Sequence, residues 1–142
     1  MNRCVTLVNR QRKRRLDLAA CQAFAEVAVE RVQKKSPKIS LPEEIGIFFV
    51  SDIRISQLHR DFLAVDGPTD VITFHHGEIF ISVETAERHA QLFSTSFLQE
   101  IHLYIVHGLL HLAGFDDRTE RDNKQMAAAQ EEIVREIGAS PQ

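Results

Sequence analysis

Apolar and polar positions along the chain fall into blocks short enough to assign one at a time. "CVTLVN" (4–9) has the β-branched, apolar composition of a strand. A cationic block, "RQRKRR" (10–15), separates it from a helical pattern running from Leu16 to about Lys35. There Leu16, Ala20, Phe24, Val27 and Val32 recur near helical spacing. Ser36-Pro37 and Leu41-Pro42 mark a loop, and "EIGIFFVS" beyond it reads as a second strand, with Gly46 its weak point. The stretch "DIRISQLHRDFLAVDGP" opens on Asp52, a good N-cap, and closes on the turn Asp66-Gly67-Pro68, which predicts a short helix between them. "DVITF" and "EIFIS", separated by His75-His76-Gly77, predict a hairpin. "VETAERHAQLF" is helical, and Ser96 is placed to cap a long apolar helix from Phe97 to Ala113. An amphipathic helix from about Glu120 to Ile137 follows, stopped by Gly138 and Pro141. Strands and helices do not alternate regularly, so the pattern predicts an α+β fold over a doubly wound one.

Composition changes this picture little. With 142 residues, 44% hydrophobic and 26% charged, and no repeat or linker, residues 1–142 are expected to form one domain with a real core. A net charge of −3 gives no general attraction to nucleic acid, so any such binding needs a local positive patch or a bound cation. No signal-peptide core or membrane span is visible, which points to a cytoplasmic protein without a membrane role. Cys4 and Cys21 form no CxxC pair and sit among apolar residues, as reduced core cysteines do.

The chemistry concentrates in "HGLLHLAGFDD" (107–117). The helix that carries it is apolar on nearly every face and should be the central buried one. His107 and His111 lie one turn apart, with β-carbons about 5–6 Å from each other. Satisfied core histidines would explain the pair alone. Gly114 alters the balance, because in a left-handed conformation it ends the helix and turns Phe115 back toward Leu110. That reversal returns residues 116 and 117 to the histidine face. His107, His111 and Asp117 then supply three protein ligands and leave room for water, whereas a structural zinc is closed by four. Asp116 reads as a partner orienting a histidine through its other ring nitrogen. Gly108 occupies the place where zinc proteases carry the general-base glutamate, and no G-x-S-x-G elbow or phosphate-cradling glycine loop exists.

The pattern H-G-x-L-H-L-x-G-[FY]-D resembles the signature of the YbeY family of metal-dependent endoribonucleases of bacterial ribosomal RNA maturation. "GPTDVITF" (67–74) resembles that family's P-T-[ND]-V-[IL]-[ST]-F, and "GEIFIS" (77–82) its G-D-[IL]-x-I-S; the closing helix with Met126 and Glu131 is similar too. The resemblance spans residues 45 to 137. It implies a small mixed β-sheet packed with helices around the central apolar helix, one zinc ion per chain, and cleavage of single-stranded RNA. It also implies the small ribosomal subunit and the late 3′-end processing of its RNA as the setting. The chain departs from the pattern twice. Asp117 stands where the family usually has a third histidine, and Leu63 where many members carry an arginine. Arg60, one turn earlier, could supply the missing cation.

Other candidates have ordinary explanations beside the functional ones. Thr69 and Asp70 could shape a cleft floor or simply serve strand entry. His89 and His102 are expected on helix surfaces. Arg10, Arg12, Lys13, Arg14 and Arg15 could contact phosphate or form a solvated helix start, although cations there oppose the helix dipole. Alternative functions are a non-catalytic ribosome-assembly factor with a structural metal, and a metal-dependent amidase or peptidase. A non-haem iron oxygenase ranks third, since its two-histidine, one-carboxylate ligands usually come from a β-barrel whereas here two share a helix, and the amidase or peptidase, weakened by the missing glutamate, ranks near it.

Overall fold

A computed structural model describes residues 3–139. Four strands and five helices follow one another as β1 (Cys4–Asn9), α1 (Leu18–Lys35), β2 (Glu44–Val50), α2 (Asp52–Leu63), β3 (Val71–Phe74), β4 (Glu78–Ser82), α3 (Val83–Phe93), α4 (Phe97–Leu112) and α5 (Glu120–Ala139). The sheet order is β1-β2-β4-β3; β1, β2 and β4 are parallel, and the hairpin partner β3 is antiparallel to β4 at one edge. The fold is therefore α+β with a small mixed sheet, as the resemblance implies.

Alternation along the strands sends two different sets of side chains to the two faces. Ile45, Ile47, Phe49, Ile79 and Ile81 point to one side and join a core completed by α1, α4 and α5. On the other side Phe48, Phe80, Ile72 and Phe74 are covered by one helix, α2, through Ile55 and Leu58. Helix α4 is the central buried helix, with Ile101, Ile105, Val106, Leu109 and Leu110 fully covered. Gly108 sets its distance from the sheet, because a β-carbon there would come within 2.7 Å of the Ile79 side chain.

Several local expectations change. Helix α1 starts at Leu18, capped by Asp17, and it buries Cys21, Phe24, Ala25, Ala28, Val29 and Val32, while Val27 faces water. Its small residues let α1 lie close to α4, a packing that hydrophobicity alone does not reveal. The cap of α2 is Ser51, whose hydroxyl accepts from the Arg54 N–H. Asp52 instead ties α2 to α3, accepting from Ser82 Oγ and Thr85 Oγ1 and pairing with Arg88, whose hydrogen bond helps hold its carboxyl below the usual range despite burial. Cys4 is exposed, because the sheet's outer edge strand turns it to solvent; only Cys21 is a core cysteine. Helix α5 continues through Gly138, and Pro141 lies outside the described residues. The cationic block is a loop before α1. It is organised by Gln11, which accepts from the Lys13 and Arg14 N–H groups, so its charges do not sit on a helix end.

Candidate metal centre

The end of α4 builds the site from backbone geometry. Gly114 adopts φ 95°, the Gly114 N–H reaches the His111 carbonyl at 3.1 Å, and the Phe115 N–H reaches the Leu110 carbonyl at 3.0 Å. These two bonds are the pair that defines a Schellman ending. The reversal returns the chain along the helix, and the Phe115 carbonyl comes within 3.1 Å of His111 Nδ1. A carbonyl can only accept, so Nδ1 of His111 carries the proton and Nε2 is left with a lone pair. His107 Nδ1 is likewise 2.8 Å from the Gln130 side-chain oxygen on α5, a contact in which Nδ1 donates and Nε2 keeps its lone pair.

Both Nε2 atoms therefore present lone pairs, and they face each other 3.2 Å apart. Two neutral acceptors at that distance repel unless a cation lies between them. A shared proton fits poorly, since burial, followed by the neighbouring His107, lowers the His111 pKa. A small divalent ion fits well: 3.2 Å is close to the roughly 3.3–3.4 Å edge of a tetrahedron with metal–nitrogen bonds of about 2.0–2.1 Å. Asp117 adds a carboxylate, and the three ligand atoms lie within 4.8 Å of one another. His107 and His111 are half-buried and Asp117 is exposed, so this group could hold a metal while one side stays open to solvent.

The remaining candidates separate. Asp116 does not orient a histidine. Its carboxylate accepts from the Arg118 N–H at 3.2 Å, and the orienting positions belong to Gln130 and the Phe115 carbonyl. Arg60 stands in the last turn of α2, 64% exposed and 3.8 Å from Asp61, and it is not among the clustered ligands. Thr69 and Asp70 perform strand entry: the Asp70 carboxylate accepts from the Val71 N–H and from Thr69 Oγ1. His89 is no surface histidine; its Nδ1 meets the Tyr104 hydroxyl. His102 stacks on Phe24 with ring centres 3.8 Å apart, its Nε2 is buried without a partner, and burial lowers its pKa to about 4. In the cationic loop, Arg10 lies over the Phe48 ring, and Arg14 lies over Phe97 and pairs with Glu87.

Gln130 and His75 are site-adjacent residues that sequence reasoning missed. Gln130 is 23 positions from His107 and on another helix, so no spacing links them. One signal existed: Met126, Ala129, Ile133 and Ile137 form the inward stripe of α5, and Gln130 is a polar residue within it. His75 lies in the exposed turn between β3 and β4 and is the smallest of the causes that act on the lowered His111 pKa, after burial and His107.

This fold and site define a small α+β protein with, among the described residues, one open group that could hold a divalent metal. Comparison with known proteins narrows the class to one family. The family model described as Endoribonuclease YbeY matches residues 6–138, which adds α1 and most of β1 to the region of resemblance. The Endoribonuclease YbeY of Syntrophotalea carbinolica is 33% identical over 136 residues, covering 82% of this chain and 91% of that protein. That of Geobacillus thermodenitrificans is 31% identical over 134 residues, covering 80% and 86%. The solution structure of TM1509 from Thermotoga maritima superposes with a TM-score of 0.66 at 27% identity, covering 94% of this chain and 88% of the other. The chain belongs to the YbeY endoribonuclease family.

Proposed function

We propose that this protein is a metal-dependent endoribonuclease that cleaves single-stranded RNA in ribosomal RNA maturation. We place its action at the 3′ end of the small-subunit RNA, in the cytoplasm and in contact with the small subunit. The observation that carries the reading is the pair of Nε2 lone pairs facing each other beside a carboxylate, an arrangement made for a cation. His107, His111 and Asp117 hold one zinc ion in this reading. When bound, such an ion polarises a phosphoryl oxygen and lowers the pKa of water. The chain's own residues orient and bind. Gln130 and the Phe115 carbonyl keep both histidines in the ligating tautomer. Asp116, beside Asp117 and off the histidines, is available to receive a proton near the reacting phosphate. Arg60, with its guanidinium largely in solvent, meets a backbone phosphate in place of the arginine absent at Leu63. No helix among the described residues is long and apolar enough to cross a membrane, consistent with work on a soluble particle.

The decisive experiment is cleavage of defined single-stranded RNA by purified protein, with and without chelator. Cleavage that stops with chelator and returns with zinc is expected. Cleavage of peptides or amides with none of RNA would sink the proposal, and metal binding without any cleavage would leave an assembly factor. Arg60→Ala should slow RNA cleavage far more than Lys34→Ala, a charge loss elsewhere; equal rates would make Arg60 plain surface charge.

A further inference from the structure

The loop between β1 and α1 carries five cations, Arg10, Arg12, Lys13, Arg14 and Arg15, all of them exposed. Like charges this close repel, and an unsupported loop would let them spread into solvent. Here one side chain holds the loop in shape. Gln11 Oε1 accepts from the Lys13 and Arg14 N–H groups, and its Nε2 donates to Asn9 Oδ1 and to the Arg14 carbonyl. The Arg10 guanidinium lies 4.5 Å over the Phe48 ring, and that of Arg14 lies 4.2 Å over Phe97. Arg12, Lys13 and Arg15 are left with no side-chain partner among the described residues. Two acids bear on the loop: Glu87 pairs with Arg14, and Asp17 caps α1 through the Ala20 N–H. Beyond the end of β2, Asp52 and Glu84 are matched in number by Arg88 and the exposed Arg54. The loop therefore stays positive in a chain whose net charge is −3.

One helix sets the position of this loop relative to the histidines. Phe97, beneath Arg14, is the first residue of α4, and His107 and His111 lie near its other end. At 1.5 Å per residue they stand about 15 and 21 Å further along the axis. Phe97 and His111 are two heptads apart, which returns them to the same side of α4 within roughly 40°. Helix α3 borders that side, where its His89 meets Tyr104. The span equals about four to six phosphates of a stacked strand at ~3.4 Å each. A fixed group of outward cations suits an occupant whose negative charge repeats along a flexible line, as a phosphodiester backbone does at every linkage. We propose that Arg12, Lys13 and Arg15 grip the RNA backbone several nucleotides along the strand from the bond held at His107, His111 and Asp117. The grip rests on the endoribonuclease reading and supplies the local positive patch that an acidic chain needs to hold RNA.

The test compares metal-loaded, full-length wild type with the combined variant Arg12→Gln, Lys13→Gln and Arg15→Gln. These side chains make no contact that shapes the loop, so Tm and metal content should be unchanged. Three lost phosphate contacts, each contributing about 0.7 on a single strand, should lower the slope of log KM against log salt by about 2. KM for a single-stranded RNA of about 20 nucleotides should therefore rise roughly 20-fold or more at about 50 mM salt, and the deficit should narrow by about that factor at about 200 mM. The value of kcat should stay the same, because the contacts are made away from the reacting bond. Lys34→Gln, Lys38→Gln and Arg135→Gln together remove the same charge at other exposed positions. An equal rise of KM in that control would make the effect one of net charge and overturn the grip. A loss in kcat with KM unchanged would put the loop at the reacting phosphate, and would overturn it too. Unchanged kinetics and salt slope in the loop variant would leave its cations to an acidic protein surface, overturning the grip while the endoribonuclease reading stands. A wild type that neither binds nor cleaves RNA would remove that reading itself.

Discussion

The two faces of the four-stranded sheet are built on different terms. On one, Ile45, Ile47, Ile79 and Ile81 lie under α1 and α4 and none is more than 1% exposed. On the other, Phe48 stacks on Phe80 and Phe74 meets Phe80 edge-on under a single short helix, and Phe74 and Phe48 remain partly open. Aliphatic side chains under two helices give a rigid floor, and a rigid floor is what a metal-ligating pair needs, because Nε2 atoms 3.2 Å apart tolerate little displacement. Aromatic side chains at a margin give a surface that keeps its apolar area available to something else. The candidate metal ligands and the partly open aromatic margin thus belong to opposite faces of the sheet, each with the packing that suits it.

The comparison can be broken most directly at the histidines. Double replacement His107→Ala and His111→Ala should abolish metal binding, read as metal content after dialysis. The variant should melt no lower than wild type stripped of metal by chelator, since the change removes two opposed lone pairs and leaves the floor intact. Retained occupancy would mean that the ligands lie elsewhere.

Stability should divide between the faces. Ile47→Ala empties a fully buried site and should cost about 2–5 kcal/mol in urea unfolding. Phe74→Ala removes a ring that water already reaches in part and should cost roughly 1–2 kcal/mol, less than full burial of such a ring is worth. Equal losses would show that the aromatic face is as much a closed core as the aliphatic one.

Smaller effects sharpen the metal side. Asp117→His should keep the metal, since an imidazole can fill the same position. It should also move the rising limb of the pH–rate profile to lower pH, because a neutral ligand leaves more positive charge at the centre. Gln130→Leu should weaken metal affinity about 10–100-fold by releasing the His107 ring, measured by chelator competition. An unchanged affinity would make the Gln130 contact incidental.

An effect confined to acid pH comes from a polar atom trapped on the well-covered side. His102 is held neutral by burial, with its pKa at about 4 in the folded protein against 6.5 in the unfolded chain. Above pH 6.5 it is neutral in both states and contributes no pH dependence. As pH falls from 6.5 toward 4 the unfolded chain takes up a proton that the folded one refuses, so stability is lost across that window. His102→Phe should keep the stack on Phe24 and flatten this part of the Tm–pH curve. His111, also lowered by burial, is common to both proteins, so the difference isolates His102. Identical curves would place the acid sensitivity elsewhere.

What the sequence determined by itself is what short-range forces decide. The strands at 4–9 and 44–50, the hairpin about His75 to Gly77, the capped start of α4 at Ser96 and its glycine ending are set by torsions and hydrogen bonds within a few residues. His107, His111 and Asp117 belong to that class as well, since one helical turn and one left-handed glycine bring them together. The strand order, the assignment of Gln130 and not Asp116 to the His107 ring, the recruitment of Asp52 to Arg88, the exposure of Cys4 and the burial of His102 against Phe24 were decided only by tertiary structure. Each depends on which surface meets which across separations from 23 to 78 residues, or on which strand ends at an edge. Neither is written in any local pattern, because an amphipathic helix or a β-rich run fixes the face it will bury without naming the partner it will bury against.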